Sequence, residues 1–250
     1  WESFASRKAS QAAARIFGGE PTDHVTFGRM AAFGSSALVL TATASKLVNI
    51  LTTAGEQTEV AHAEAPQIPE VTGSPASTVP WSVQSREGRR WLGSVLTVKE
   101  IEDVIQEAAK QPIRAYASLQ SGTTDEERAA VVMRELERTN AFERSAIALF
   151  SPTGSGYVNY VASETFEYLT RGDCASFAIE YSVLPSSFSL QAVPLGTRQT
   201  RLVVDAVVER LLSMKPEDRP KFYMFGESLG SQVSEGMFTD EGAWGPRGIG

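Results

Sequence analysis

Helical and strand-like patterns alternate along the chain from Trp81 onward, and this alternation is the feature that most constrains the fold. Apolar residues recur at helical spacing in some segments and form short continuous runs in others. The helical patterns cover residues 97–110, 125–138, 162–169 and a long segment around 204–211; the strand-like runs cover residues 112–119, 145–150, 175–183 and 221–225. Strands that are connected through helices lie parallel in one sheet with both faces covered. The sequence therefore predicts an α/β fold with a mostly parallel sheet and helices on both faces.

Composition narrows the class of protein. The chain is 42% hydrophobic and 21% charged, which is typical of a globular protein rather than a disordered one. Its net charge is −7 and it has no block of lysines and arginines, so we expect no nucleic-acid partner. The single cysteine, Cys174, excludes an internal disulfide and a cysteine-based zinc cluster. Because Cys174 precedes an apolar run, it is predicted to be a small buried residue, and neither a metal nor an organic cofactor is expected.

Residues 30–51 form a mostly apolar segment whose length suits a transmembrane helix. Lys46 lies near its end, where a long side chain can reach the headgroups; the alternative is a buried helix of a soluble domain. Basic residues are distributed unequally around the segment: none occurs in residues 53–80, and those before it are Arg7, Lys8, Arg15 and Arg29. The positive-inside rule then predicts a cytoplasmic N-terminus and an extracytoplasmic location for everything after Leu51.

The chain is predicted to have three parts. Residues 1–53 contain a basic helix followed by the membrane segment. Residues 54–80 are predicted to be an extended linker, because prolines separated by glutamate, serine and threonine do not form a core. Residues 81–250 are predicted to form the α/β domain. Since the chain starts at a tryptophan and finishes in a turn-like sequence, we expect it to be a fragment of a longer protein.

The segment 221–230 predicts a strand, a sharp turn and the start of a helix, and its centre has the pattern G-x-S-x-G. In such a turn Ser228 lies at the apex with an exposed hydroxyl. Gly226 and Gly230 allow the helix to cross close to the strand. A serine nucleophile needs a base for its proton and N–H groups for the developing oxyanion, and the Leu229 N–H is a candidate donor. The alternative is an ordinary turn bounded by glycines.

A second oxyanion donor is expected in the loop that follows an early strand. Residues 152–156, Pro-Thr-Gly-Ser-Gly, follow the strand that is predicted to end at Phe150. Because glycines let backbone amides turn toward a ligand, Thr153 and Gly154 are the candidate donors. A plain strand-to-helix loop is the alternative, and Ser182, Ser186 and Ser187 are weaker candidates for the lining of the same cleft.

Neither histidine of the chain is in the position of a triad base. In enzymes with this elbow the acid and the histidine follow the serine, whereas His24 and His62 precede it. Both are predicted to be solvated polar residues. Asp240 and Glu241 follow the elbow helix too closely to be the triad acid. The triad acid and histidine are therefore expected to lie beyond residue 250.

Several stretches, in this order and spacing, resemble a bacterial family of membrane-bound α/β-hydrolase-like proteins that is common in actinobacteria. The stretches are residues 79–81, 87–90 (EGRR), 112–116 (PIRAY), 135–139 (ELERT), 151–156 (SPTGSG), 180–186 (EYSVLPS) and 225–231 (FGESLGS). The resemblance covers residues 75–250 well and implies an α/β-hydrolase-like catalytic domain, here truncated at its C-terminal side. It also implies several N-terminal membrane helices, of which residues 30–51 would be the last, and Ser228 as the nucleophile of a Ser-His-Asp triad.

The sequence thus predicts a serine hydrolase of the esterase or lipase type, anchored in the cell membrane through residues 30–51. The expected substrate is an acyl ester or lipid-like small molecule, because a membrane tether favours lipid or envelope esters. Two alternatives stay open. One is an envelope acyltransferase with the same elbow, and the other is a non-catalytic membrane-associated module in which the fold only binds a partner.

Overall fold

The computed structural model describes residues 6–8, 10–12, 15, 20, 46, 59–184 and 189–239. The chain divides into two compact units, residues 1–51 and 52–250. In the first unit, residues 6–8, 10–12 and 15 are helical. The membrane segment predicted over residues 30–51 lies outside the described residues, except for Lys46. Within the part of the chain that the structure describes, no helix has both the length and the apolar character needed to cross a membrane.

The second unit is built on a parallel sheet, which confirms the predicted fold class. Its strands are β1 (Ile113–Ala117), β2 (Ala146–Ser151), β3 (Cys174–Ile179) and β4 (Lys221–Gly226), in the spatial order β1-β3-β2-β4. Every residue of β1, β2 and β3 is buried, as expected for parallel strands with helices on both sides. By contrast β4 alternates between exposed and half-buried residues and forms an edge of the described sheet.

The helices of this unit are α1 (Arg86–Gly93), α2 (Val98–Ile105), α3 (Asp125–Arg138), α4 (Tyr160–Leu169), α5 (Val193–Leu212) and α6 (Leu229–Thr239). The capping box predicted at Thr97 and Glu100 is present at the start of α2, and Thr124 forms another at the start of α3. The helix after Thr97 is shorter than predicted. It ends at Ile105, because Gln106 adopts the left-handed conformation with φ of 60°.

Two apolar clusters cover the two faces of the sheet. On one face, α3 and α5 pack against the strands through residues that include Leu136, Ile147, Phe177 and Val203. On the other face, Trp91 of α1 packs with Tyr116 and Phe150, and Phe166 of α4 lies against this group. Successive side chains of β1 alternate between the clusters, with Tyr116 on the opposite side from its neighbours. Because all strand pairs are parallel, the carboxyl ends of the strands lie at one edge of the sheet.

The structure differs from the predicted linker at residues 70–79, which pack into the domain. Val71 and Thr72 are fully buried, and the Thr72 N–H donates to the Arg114 carbonyl of β1 at 3.0 Å. The buried carboxylate of Glu135 accepts hydrogen bonds from hydroxyls of the same segment: those of Thr72, Ser77 and Thr78. Local composition favours an extended chain here, but the hydroxyls pair with a distant carboxylate, so the domain begins before residue 81.

Candidate active site

The strand, turn and helix predicted around Ser228 are present. β4 ends at Gly226, and α6 begins at Leu229. Between them Ser228 has φ of 53°, a left-handed conformation that is uncommon for residues other than glycine. The turn is closed by a hydrogen bond of 2.8 Å from the Gly230 N–H to the Glu227 carbonyl. Ser228 is exposed at this apex, and a serine held in a sparsely populated backbone region is the geometry of a nucleophile elbow.

Glycines surround this turn because backbone atoms of other segments approach them closely. A Cβ atom on Gly226 would lie 2.5 Å from the carbonyl oxygen of Gly230. A Cβ atom on Gly230 would lie 2.3 Å from the carbonyl oxygen of Ser151 and 3.0 Å from that of Pro152. The first turn of α6 therefore crosses the ends of β4 and β2 at a distance that excludes any larger residue.

The loop after β2 lies beside this elbow. In the parallel pair of β2 and β4, Ser151 is opposite Gly226, so the residues that follow both strands are neighbours at the carboxyl edge of the sheet. Within the loop the Thr153 N–H donates to the Tyr157 carbonyl at 2.8 Å, and the Gly156 N–H donates to the Thr153 carbonyl at 3.0 Å. These two bonds close a tight turn.

This turn corrects one of the predicted oxyanion donors. The Thr153 N–H is committed to its own loop, so the arrangement does not support Thr153 as a donor to an oxyanion. Gly154 stays a predicted donor together with Leu229. Gly154 is buried, and its carbonyl oxygen lies 3.0 Å from the hydroxyl oxygen of Ser189. Of the three serines predicted to line the cleft, Ser182 is within 2.9 Å of the Ser189 hydroxyl, and residues 186 and 187 lie outside the described residues.

Asn159 connects the elbow to α4, and sequence reasoning did not identify it. Its amide nitrogen donates to the Glu227 carboxylate at 2.8 Å, while its amide oxygen accepts the Ala162 N–H at 3.0 Å as the N-cap of α4. Asparagine is a common N-cap residue, so its position before a helical pattern was the available signal. The contact holds the side chain of Glu227, the residue that directly precedes Ser228.

A buried carboxyl group lies on the other side of the loop. Glu180 directly follows β3, is fully buried, and accepts the Leu119 N–H at 3.0 Å. The Tyr116 hydroxyl is 3.2 Å from Glu180 Oε1 and 3.1 Å from the Gly156 carbonyl oxygen. Burial raises the pKa of Glu180 to about 7. The one sequence signal was an acidic residue inside a run, residues 175–183, predicted as a buried strand.

The histidines, the cysteine and the acidic residues that the sequence analysis considered are not part of the elbow. The His62 carbonyl accepts the Trp81 indole N–H, and a Cβ on Gly93 would be 3.0 Å from the His62 ring. Cys174 is buried as predicted, and burial raises the pKa of its thiol to about 12, so the thiol is neutral at physiological pH. His24, Asp240 and Glu241 lie outside the described residues. Among the residues that the structure describes, no group of three or more His, Cys, Asp and Glu side chains could hold a metal ion.

An apolar groove of about 860 Å³ runs between α4 and β4. Its lining includes Phe166, Tyr223 and Phe225, and Asn159 lies at the end next to the elbow. Ser228 is not part of this lining, so the groove adjoins the candidate site without containing it.

Searches of curated proteins and of solved structures find no match to this chain. Residues 113–244 match the sequence profile of the alpha/beta-hydrolase family. This range spans more than half of the chain and includes all strands of the described sheet, the loop after β2 and the elbow. The chain belongs to the alpha/beta-hydrolase family.

Proposed function

We propose that this protein is a membrane-anchored serine hydrolase that cleaves acyl esters, with Ser228 as its nucleophile. The observation that carries the proposal is the conformation of Ser228. It is an exposed serine with φ of 53°, between a strand and a helix at the carboxyl edge of a parallel sheet. Membership of the alpha/beta-hydrolase family supports hydrolytic chemistry at this edge.

In the proposed reaction, the Ser228 hydroxyl oxygen attacks the ester carbonyl carbon while a histidine accepts the hydroxyl proton. The tetrahedral intermediate collapses, the alcohol leaves with the proton from the histidine, and an acyl-serine remains. Water activated by the same histidine then releases the carboxylic acid and restores Ser228. Among the described residues the one histidine is His62, which precedes Ser228 in the chain and whose carbonyl accepts the Trp81 indole N–H, so we assign no described residue as the triad histidine.

The oxyanion is proposed to be held by the N–H groups of Leu229 and Gly154. Leu229 is the first residue of α6, and the first N–H groups of an α-helix have no partner within the helix. They also lie at the positive end of the helix dipole, which favours a developing negative charge. Gly154 comes from the neighbouring loop, beside the strand pair of Ser151 and Gly226.

A fluorophosphonate probe tests the nucleophile, because it forms a covalent bond with activated serines. We expect full-length protein to be labelled at Ser228 and the Ser228→Ala variant to be unlabelled. Ser213→Ala, an exposed serine beyond the end of α5, is the matched control and should label like the native protein. Equal labelling of native protein and Ser228→Ala, or mapping of the adduct to Ser231, contradicts the proposal.

The membrane location rests on the apolar segment 30–51 and on the missing basic residues in 53–80. A tethered enzyme meets lipid or envelope esters, and we propose substrates of this class. We expect the full-length protein to stay with membranes after an alkaline wash, and a variant without residues 30–51 to be released. Retention of both proteins, or release of both, argues against this segment as the anchor.

A further inference from the structure

We propose that Tyr116 and Glu180 are positioning residues that clamp the loop carrying Gly154 and thereby set the oxyanion hole. This inference rests on the proposed function, because it assigns a task to the side of the loop that faces away from Ser228. Neither residue is proposed to touch the substrate.

The clamp is a chain of three groups. The Tyr116 hydroxyl is 3.1 Å from the Gly156 carbonyl oxygen and 3.2 Å from Glu180 Oε1. Tyr116 and Glu180 are both fully buried, so water does not compete for these bonds. A Cβ atom on Gly156 would lie 2.2 Å from Glu180 Oε1, and Gly156 has φ of 81°. The loop is therefore pressed directly against the carboxyl group, and only glycine fits there.

The clamp acts at one end of the loop, and the Ser189 hydroxyl, which also lies 2.8 Å from the Leu184 carbonyl oxygen, is at the other end. The Ser189 hydroxyl oxygen lies 3.0 Å from the Gly154 carbonyl oxygen, two residues before the carbonyl that Tyr116 contacts. The Gly154 N–H shares a planar peptide unit with the Thr153 carbonyl, which accepts the Gly156 N–H at 3.0 Å. The clamp on Gly156 therefore acts on the Gly154 N–H through the Thr153 carbonyl, while the Ser189 hydroxyl lies beside the Gly154 carbonyl.

Only one proton is available on the Tyr116 hydroxyl, so its two acceptors compete. When Glu180 is protonated it can donate to the Tyr116 oxygen, and Tyr116 can donate to the Gly156 carbonyl. When Glu180 is ionised it accepts the Tyr116 proton, and the Gly156 carbonyl loses its donor. The loop is therefore clamped in the protonated state of Glu180 and released in the ionised state.

The surroundings of Glu180 bring its protonation equilibrium close to neutral pH. The groups that face it are the Tyr116 hydroxyl of β1, the Leu119 N–H, the Ser85 hydroxyl, Glu87 of α1 and the Gly156 loop. Burial is the largest influence and raises its pKa to about 7, and the negative charge of Glu87 acts in the same direction. The Glu87 carboxylate is itself paired with Arg86 and Arg90, while Gln199 of α5 donates to the Glu180 backbone carbonyl.

Tyr116→Phe tests the clamp, because it removes only the hydroxyl. Tyr181→Phe is the matched control: Tyr181 is also buried, but its hydroxyl has no hydrogen-bond partner among the described residues. The assay is hydrolysis of a short-chain nitrophenyl ester by full-length protein. We expect Tyr116→Phe to lower kcat by about tenfold with little change in KM, because the free energy of one hydrogen bond corresponds to a rate factor of about ten. Tyr181→Phe should match the native protein. Equal kcat for native protein and Tyr116→Phe overturns the clamp.

The pH profile gives a readout that a purely structural role would not change. We expect native kcat to fall as the pH rises through about 7, where Glu180 ionises. In Glu180→Gln the amide still donates to the Tyr116 oxygen and cannot ionise, so this falling limb should disappear. A falling limb that persists in Glu180→Gln overturns the proposal, even if Tyr116→Phe fails to fold.

Hydrogen exchange separates failure of the clamp from failure of the proposed function. Amide exchange of residues 153–157 requires no activity and no ligand. We expect faster exchange there in Tyr116→Phe than in the native protein, and no change in Tyr181→Phe. Unchanged exchange in Tyr116→Phe overturns the clamp, whereas absent fluorophosphonate labelling of native protein with faster exchange in Tyr116→Phe rejects only the hydrolase.

Discussion

Gly230 lies so close to Ser151 that a Cβ atom on the glycine would stand 2.3 Å from the serine carbonyl oxygen. This contact joins the first turn of α6 to the end of β2, and the hydroxyls of Ser151 and Ser234 add a hydrogen bond of 2.6 Å one turn further along. The contact therefore sets the position of the helix whose first N–H is the predicted oxyanion donor.

We predict that Gly230→Ala displaces α6 and destabilises the domain by about 1–3 kcal/mol, the usual effect of overpacking. Labelling of Ser228 should fall even in the absence of urea, where the variant is still folded, because the turn itself moves. Urea unfolding and fluorophosphonate labelling measure the two effects. Gly236→Ala in the same helix is the control. Its added Cβ would meet the Thr197 side chain at 2.9 Å, and a side chain can move where a backbone carbonyl cannot. An equal loss in both variants would contradict the role of the Ser151 contact.

Glu180 should make stability depend on pH. Its pKa is about 7 in the folded protein and near 4.5 when exposed, so the folded state retains a proton that the unfolded state releases. Stability from this group is present below about pH 4.5 and is lost as the pH rises to about 7. The loss in the free energy of unfolding amounts to about 3 kcal/mol, because each unit of pKa difference corresponds to about 1.4 kcal/mol. Glu180→Gln should remove this slope from the free energy of unfolding, measured by urea titration between pH 5 and 8; an unchanged slope would contradict it.

Elements with local signals were predicted well from the sequence. Helix α3 has the predicted bounds, because its capping box and its apolar spacing both lie within the segment. The strand predicted over 175–183 ends instead at Ile179. This residue pairs with Ala117, the last residue of β1. Strand length is thus set by a pairing partner about 60 residues away in the chain, which local periodicity does not report.

The residues of the candidate site also differ in how local their sequence signals are. Ser228, Gly226 and Gly230 belong to one short motif, so a single stretch of sequence indicates them. Tyr116 lies in β1 and Glu180 directly follows β3, so their contact depends on the register of the two strands. Thr153 was predicted as a donor from its place in a glycine-containing loop. Only the folded turn reveals that its N–H bonds to Tyr157.

The buried ion pair of Arg114 and Glu167 is predicted to contribute strongly to the stability of the domain. Both side chains are fully buried, with Arg114 Nε 2.6 Å from Glu167 Oε1, and the guanidinium lies over the Trp91 ring. Glu167→Ala leaves a buried charge without its partner, which costs about 3–5 kcal/mol. Thermal unfolding should show a large fall in Tm. Glu107→Ala breaks the exposed pair with Arg171 and is the control, for which we expect a negligible change. Similar Tm values for the two variants would contradict the prediction.

The segment 70–79 should behave as part of the domain and not as a linker. Thr78 donates two hydrogen bonds to the buried Glu135 carboxylate, from its backbone N–H at 3.0 Å and from its hydroxyl at 2.8 Å. Thr78→Val keeps the shape and the backbone bond but removes the hydroxyl, so the carboxylate loses one donor and stability falls by about 1–3 kcal/mol. Thr165→Val, at an exposed position of α4 whose hydroxyl bonds only to the Val161 carbonyl, should change stability by less. Urea unfolding of both variants measures the two effects. If residues 70–79 were a linker, Thr78→Val would lower the free energy of unfolding no more than Thr165→Val does.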